Sequence, residues 1–277
     1  MNNLEWHTID YGKIWLEEMG FCDADPEGRQ LNDRTEEAFW ENVADKYAQT
    51  NNLFRSVSEL GATILQLLDA NDTVWEIGSG SGNFTIPLSK KVTHILGIEP
   101  SAAMLAAARK RIHTEGIQNV SFTQKKWEDF SSSERASVVL SINSFYRIRD
   151  IHAALHKISM YAKRRCIIVR SVSRSPFFEI CKEANISCHW CKDYMLIPNI
   201  LWQQDIAANV LSLCKENTKR YESMEEVRRN FPQGITPQEM LTLQELFLSR
   251  AEKDDSGYIY PFCAKFVIIW WDNEKTR

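Results

Sequence analysis

The tightest constraint on this chain is the stretch Val74-Trp75-Glu76-Ile77-Gly78-Ser79-Gly80-Ser81-Gly82-Asn83. A short apolar run with strand character is followed at once by glycine at alternate positions, and then by a helix that starts near Asn83 or Phe84. Glycines so spaced let the backbone turn sharply and approach a ligand closely. The helix behind them presents unpaired N–H groups. Pro87 falls in its first turn, where a missing N–H is tolerated.

From residue 72 onward, strand-like and helix-like segments alternate. Strands are expected at Val74–Ile77, His94–Ile98, Val120–Thr123, Val138–Ile142 and Cys166–Arg170. The clearest helix is Ala102–His113, with Ser101 as N-cap, cationic Arg109, Lys110 and Arg111 late, and Gly116 to close it. Such alternation implies an α/β fold: a doubly wound, mostly parallel sheet with helices on both faces. After residue 175 the order is less regular. Helices are expected at Pro176–Ala184, Met224–Asn230 and Pro237–Lys253, and strands at Asn209–Leu213 and Phe262–Trp271. Upstream, helical periodicity runs from Phe39 to Tyr47 and from Leu53 to Leu68. Residues 1–35 read as a loosely organised N-terminal extension, a candidate lid. Residues 36–277 read as the catalytic-type domain, with 175–260 contributing an acceptor-site cap.

The ligand chemistry follows from two carboxylates. Glu99, in Gly97-Ile98-Glu99-Pro100-Ser101, ends the second strand, 23 positions after Glu76. An acid there suits the two hydroxyls of a ribose. Glu76 precedes the first glycine, where the pyrophosphate of a dinucleotide would be repelled and a cationic ligand favoured. Asn83 also stands where a dinucleotide fingerprint wants Gly or Ala.

Glu76-x-Gly78-x-Gly80-x-Gly82, followed by Gly97 to Ser101 and Met104, resembles the first two motifs of the class I methyltransferases that use S-adenosylmethionine (SAM). Phe39 to Tyr47 is similar to the helix that precedes the core in many small-molecule members. The resemblance implies transfer of a methyl group to a small-molecule acceptor, leaving S-adenosylhomocysteine. It also implies site roles. Gly78, Ser79, Gly80 and Gly82 would line the methionine and ribose, and Glu76 would help hold the amino group. Glu99 would bind the ribose, and Pro100, Ser101 and Met104 would pack beside adenine. Glu128 could accept from the adenine amine, with Trp127 flanking the ring or packing in the core. Asn143 would offer its carbonyl to the amino group, Tyr47 would reach in from upstream, and Tyr146 would border the acceptor. Since a sulfonium is already activated, alignment and exclusion of water carry most of the work, and no general base stands out. A SAM-binding assembly or regulatory protein without turnover, and a protein methyltransferase, are the competing readings.

The net charge of −4 and pI of about 5.9 provide no basic field for nucleic acid. Asn143-Ser144-Phe145-Tyr146 also lacks the Asn/Asp-Pro-Pro-Tyr/Phe motif of enzymes that methylate nucleobase amines. Phe266–Trp271 is too short to span a membrane, which takes about 20 residues. No basic, apolar leader opens the chain, so a cytoplasmic location is expected, with all seven cysteines reduced. Cys188-His189-Trp190-Cys191 supplies two thiol ligands without a second pair, so no metal is expected. Lys125-Lys126 and Lys163-Arg164-Arg165, like Arg109 to Arg111, read as solvated charge.

Overall fold

The computed structural model of the chain describes residues 9–50, 58–172, 176–186 and 192–273. Two compact units share them. The first holds Met1–Arg170, Asp193–Leu211 and Ile268–Arg277, and the second Ser171–Lys192 and Ser212–Val267.

In the first unit the chain runs α1 (Tyr11–Glu18), α2 (Asp33–Thr50), α3 (Ser58–Gln66), β1 (Thr73–Ile77), α4 (Thr85–Ser89), β2 (His94–Ile98), α5 (Ala102–Thr114), β3 (Val120–Thr123), β4 (Ala136–Ile142), α6 (Ile151–Tyr161) and β5 (Ala162–Ser171). These five strands lie in the order β3-β2-β1-β4-β5 and pair in parallel. The chain leaves β1 toward one edge, then returns to place β4 on the other side of β1. That reversal opens a crevice at the carboxyl ends of β1 and β4, where doubly wound sheets bind ligands. Parallel pairing requires helical crossovers on both faces, so β4 is buried almost throughout, with the apolar run Val138–Leu140 fully covered.

Most expected elements lie within a few residues of the observed ones. Ser101 caps α5, its hydroxyl accepting from the Met104 N–H at 3.2 Å, and Gly116 takes a positive φ of 65° beyond its end. The strand expected from Cys166 starts four residues earlier, and Arg164 and Arg165 within it, expected in solvent, are only partly exposed. Arg164 donates to the buried Asp72, and Arg165 pairs with Asp272 at 2.6 Å. From residue 9 onward the extension is helical and packed rather than loosely organised. Trp15 is fully buried and its indole N–H donates to the Ile148 carbonyl at 2.8 Å. Trp6 and residues 53–57 of the expected Leu53–Leu68 helix lie outside the described residues. One helix escaped the sequence reading. It is Asp193–Gln203, which carries Pro198 inside it, a residue that normally ends a helix.

The second unit packs its own core around Phe177, Tyr221, Phe231, Phe247 and Tyr260, with Phe177 stacked on Tyr221 at 5.6 Å and Phe247 on Tyr260 at 4.9 Å. Its helices are Phe178–Glu183, Met224–Arg229 and Pro237–Leu248. The last is shorter than expected, since Glu252–Asp254 forms a strand antiparallel to the one at Gly257–Asp272. The strand expected at Asn209–Leu213 continues to Tyr221. The expectation of seven reduced thiols is corrected here. Cys214 and Cys263 are disulfide-bonded, with Cα atoms 6.0 Å apart on these two long strands. Scattered spacing along the chain carries no information on which residues a sheet sets side by side. Cys22 and Cys166 are free thiols, while Cys188 to Cys191 lie outside the described residues.

Arg170 and Asp193 form an ion pair in the first unit that is buried on both sides. Removing one partner strands the other charge in a low-dielectric interior. Asp193→Ala is therefore expected to cost about 3–5 kcal/mol in urea denaturation, and Arg170→Met with Asp193→Leu to recover most of that loss.

Candidate functional site

The glycine turn after β1 is held from three sides. The Gly78 N–H donates to the Ile98 carbonyl of β2 at 2.7 Å. The Gly80 N–H donates to Glu99 Oε2 at 2.9 Å, while the Ser101 N–H donates to Oε1, also at 2.9 Å. Arg111, reaching back from α5, donates to the Ser81 carbonyl at 2.8 Å and Asn83 Oδ1 at 2.6 Å. That side chain was expected in solvent and instead braces the turn.

Two glycines here admit no other residue without rearrangement. Gly78 has φ +68°, and a Cβ on it would strike Ser144 at the end of β4. Gly97 lies under the turn, where a Cβ would come within 2.5 Å of Phe122 Cδ1 and 2.6 Å of Ser79 Oγ. The facing residue, Asn143, takes φ +55°, uncommon for a residue with a side chain and frequent at functional sites.

These pieces border one cavity of about 840 Å³. Ligand pockets commonly run to about 300–1,000 Å³, so this one has room for a nucleoside-sized ligand and a second molecule. Among the described residues its lining lies wholly between 21 and 149, in the first unit. The structure brings Tyr47, Glu76, Gly78, Ser79, Gly80, Glu99, Pro100, Ser101, Met104, Trp127, Glu128, Asn143 and Tyr146 to this wall. Gly82 is not part of it, and faces Ile86 and Ala108 instead. Trp127 is only 3% exposed. Its indole N–H donates to the Ala154 carbonyl at 3.3 Å and its ring stacks on Phe130, so most of it is core. Glu128 is exposed at the rim. Tyr47 packs with Ala44, Met104 and Trp40, joining α2 to α5.

The sequence reading passed over a polar cluster on α2 and the turn before it. The Glu36 carboxylate is buried and accepts from Arg29 Nε at 2.8 Å, Trp40 Nε1 at 2.7 Å and the Tyr146 hydroxyl. Asp33 pairs with Lys126 at 2.5 Å and Arg147 at 2.8 Å. Gln30 Nε2 donates to the Tyr146 carbonyl at 2.6 Å, and Glu37 Oε1 accepts from the Ala103 N–H at 3.0 Å. The available signal was Glu36 and Trp40 one helical turn apart within a charged run.

Burial dominates the electrostatics of the two central acids. It pushes the Glu76 carboxyl up to about 8, against the Thr85 hydroxyl that donates to Glu76 Oε2 at 2.5 Å. It pushes Glu99 up to about 7, against the N–H groups of Ser101 and Gly80. Near neutral pH both carboxyls therefore retain part of their protons, and a bound cation would shift them toward the charged form.

Fold, crevice and glycine turn together define a class I SAM-dependent methyltransferase. The chain belongs to a methyltransferase-domain family, whose model matches residues 68–228. It is similar to a protein of unassigned function from Haemophilus influenzae, 24% identical over 85% of this chain and 89% of that one. A 63-residue segment is 40% identical to the 23S rRNA (uracil(1939)-C(5))-methyltransferase RlmD of Xanthomonas campestris, covering 22% of this chain and 14% of that protein. Among solved structures, a candidate methyltransferase from Bacillus halodurans superposes with a TM-score of 0.52 at 17% identity, over 76% of this chain and 97% of that one. Among the described residues, no helix is long and apolar enough to cross a membrane.

The raised Glu76 and Glu99 have a measurable consequence. Their folded values of about 8 and about 7 lie above the ordinary 4.5, so the folded state binds the extra protons. The associated stability is fully present below about pH 4.5 and is lost as pH rises through 7 and 8. Urea midpoints of the ligand-free protein at pH 5, 6.5 and 8 are expected to show this fall, and Glu76→Gln to flatten it. An equally steep fall in the variant would contradict the assignment.

Proposed function

We propose that this methyltransferase methylates a small-molecule acceptor in the cavity that runs from the glycine turn to Tyr146. The observation that carries the reading is the closure of that cavity by the chain's own N-terminal segment. Gln30, Asp33 and Glu36 each bond to the segment that follows β4, through the Tyr146 carbonyl, Arg147 and the Tyr146 hydroxyl. Phe21, Leu31 and Trp40 give this end an apolar wall, suited to a compact ligand rather than a polymer. Residues 1–35 act, on this reading, as a lid over the acceptor.

The residues present fit SAM. Gly78 is required because Ser144 already fills the place of a Cβ, and the methionine portion would lie over the backbone of this turn. Glu76, at the floor, favours the amino group. Glu99 already accepts two backbone N–H groups and retains lone pairs for the ribose hydroxyls. Met104 and Pro100 supply apolar contacts for adenine beside Ser101, and Asn143 offers its backbone at the methionine end. When bound, SAM supplies an electrophilic methyl group. The protein aligns it with the acceptor and keeps water out.

Glu99→Ala is expected to weaken SAM binding by roughly 10- to 100-fold, the usual cost of hydrogen bonds to a charged group, with the fold retained. Unchanged affinity would remove the ribose from Glu99. The acceptor class is tested by incubating the protein and methyl-labelled SAM with a small-molecule extract, ribosomal RNA and denatured protein separately. Label is expected in the small-molecule fraction. Transfer confined to RNA or protein would overturn this reading.

A further inference from the structure

We propose that Tyr146 is a catalytic residue that receives an N–H of the acceptor on its phenolic oxygen, that Glu36 positions it, and that the acceptor is an amine with an apolar body. This rests on the SAM reading of the same cavity.

The argument begins with one committed proton. The Tyr146 hydroxyl donates to Glu36 Oε1. Glu36 cannot turn away, because Trp40 Nε1 holds Oε1 at 2.7 Å and Arg29 spans both oxygens at 2.8 and 3.3 Å. Arg29 is itself seated over the Phe39 ring, 3.3 Å from its centre. At its other end Tyr146 is held by Gln30 on its carbonyl. Tyr146, Glu36 and Trp40 all line the cavity, on the same turn as Asn143 and Ser144. With its proton spent inward, the phenol offers a ligand only oxygen lone pairs. It therefore selects a group that donates, an N–H or O–H, and rejects a carboxylate. Burial, followed by Glu36, raises the phenol pKa, so the proton stays in place.

The choice between amine and alcohol follows from the available bases. An aliphatic alcohol must lose its proton to attack. Burial pushes Glu36 up, but Arg29, Tyr146 and Trp40 outweigh it and keep this carboxyl below its ordinary value. Lys126 foremost, with Arg147, does the same for Asp33 against burial. Glu76 and Glu99, which burial raises, are taken up by the amino group and ribose of SAM on the reading this inference rests on, and among the described lining residues none is a histidine or cysteine. An alkylamine leaves its ammonium proton in water and binds as the uncharged fraction, and in that form it needs no base in the site. Its nitrogen lone pair forms the N–CH₃ bond while the S–CH₃ bond breaks with its electron pair going to sulfur. The products are the neutral thioether and an ammonium that releases its proton to water. Phe21, Leu31 and Ile148 accommodate the apolar body.

The test uses phenethylamine, its alcohol and 3-phenylpropanoate, compounds alike in shape and different at the reacting end. Titrated calorimetrically into the full chain saturated with S-adenosylhomocysteine, the amine and the alcohol are each expected to bind about tenfold more tightly than the carboxylate, one hydrogen bond's worth. With SAM, only the amine should be methylated. Tyr146→Phe should lower kcat/KM for the amine about tenfold or more while SAM affinity stays within about twofold. Glu36→Gln should lower kcat more than it raises KM, a split that mere loosening of the fold would not produce. Binding or methylation of the alcohol or carboxylate in preference, or unchanged turnover by Tyr146→Phe, would overturn the inference. If SAM binds but the amine is neither bound nor methylated, the inference fails alone. If SAM does not bind, the cofactor reading fails first.

Discussion

The Glu99 carboxylate, at the end of β2, accepts from the N–H groups of Gly80 and Ser101 and so links the glycine turn to the start of α5. Burial makes that carboxylate costly to ionise, and the two donors recover part of the cost. The turn cannot lift away without stranding it. Gly97 keeps the floor flat beneath, and Arg111 closes the outer side. The crevice is thus preorganised before any ligand enters, which lowers the entropy lost on binding.

A second network, built on Glu36, gives the other half of the cavity its shape. The first network is mostly backbone and, on the proposed reading, would serve the cofactor. The second consists of side chains from the N-terminal segment and the turn after β4. Asp33 adds ion pairs to Lys126 and Arg147, so that wall is fastened at several points. On the proposed reading this wall faces the acceptor, and function resides in such sites grafted on folds.

The first half was legible in the sequence because its signals are local. His94–Ile98 and Val120–Thr123 are short apolar runs bounded by turn residues, and both form strands over those residues. Glu76, the glycines and Glu99 sit at fixed offsets along the chain. The second half was not legible, since its contacts span long separations. Glu36 meets Tyr146 110 positions away, and Gln30 meets it 116 positions away. A charged run read as solvated cannot show that its members pair with distant partners. Arg164, Arg165 and Lys126 escaped for the same reason. The Cys214–Cys263 bridge depends on register between two strands, which spacing does not encode.

The most direct test of the central claim is calorimetric titration of the purified chain with SAM, S-adenosylhomocysteine and NAD. The account predicts that both adenosyl ligands bind and that NAD does not, since a pyrophosphate would meet Glu76 at the turn. Binding of NAD in preference, or of none of the three, would contradict it.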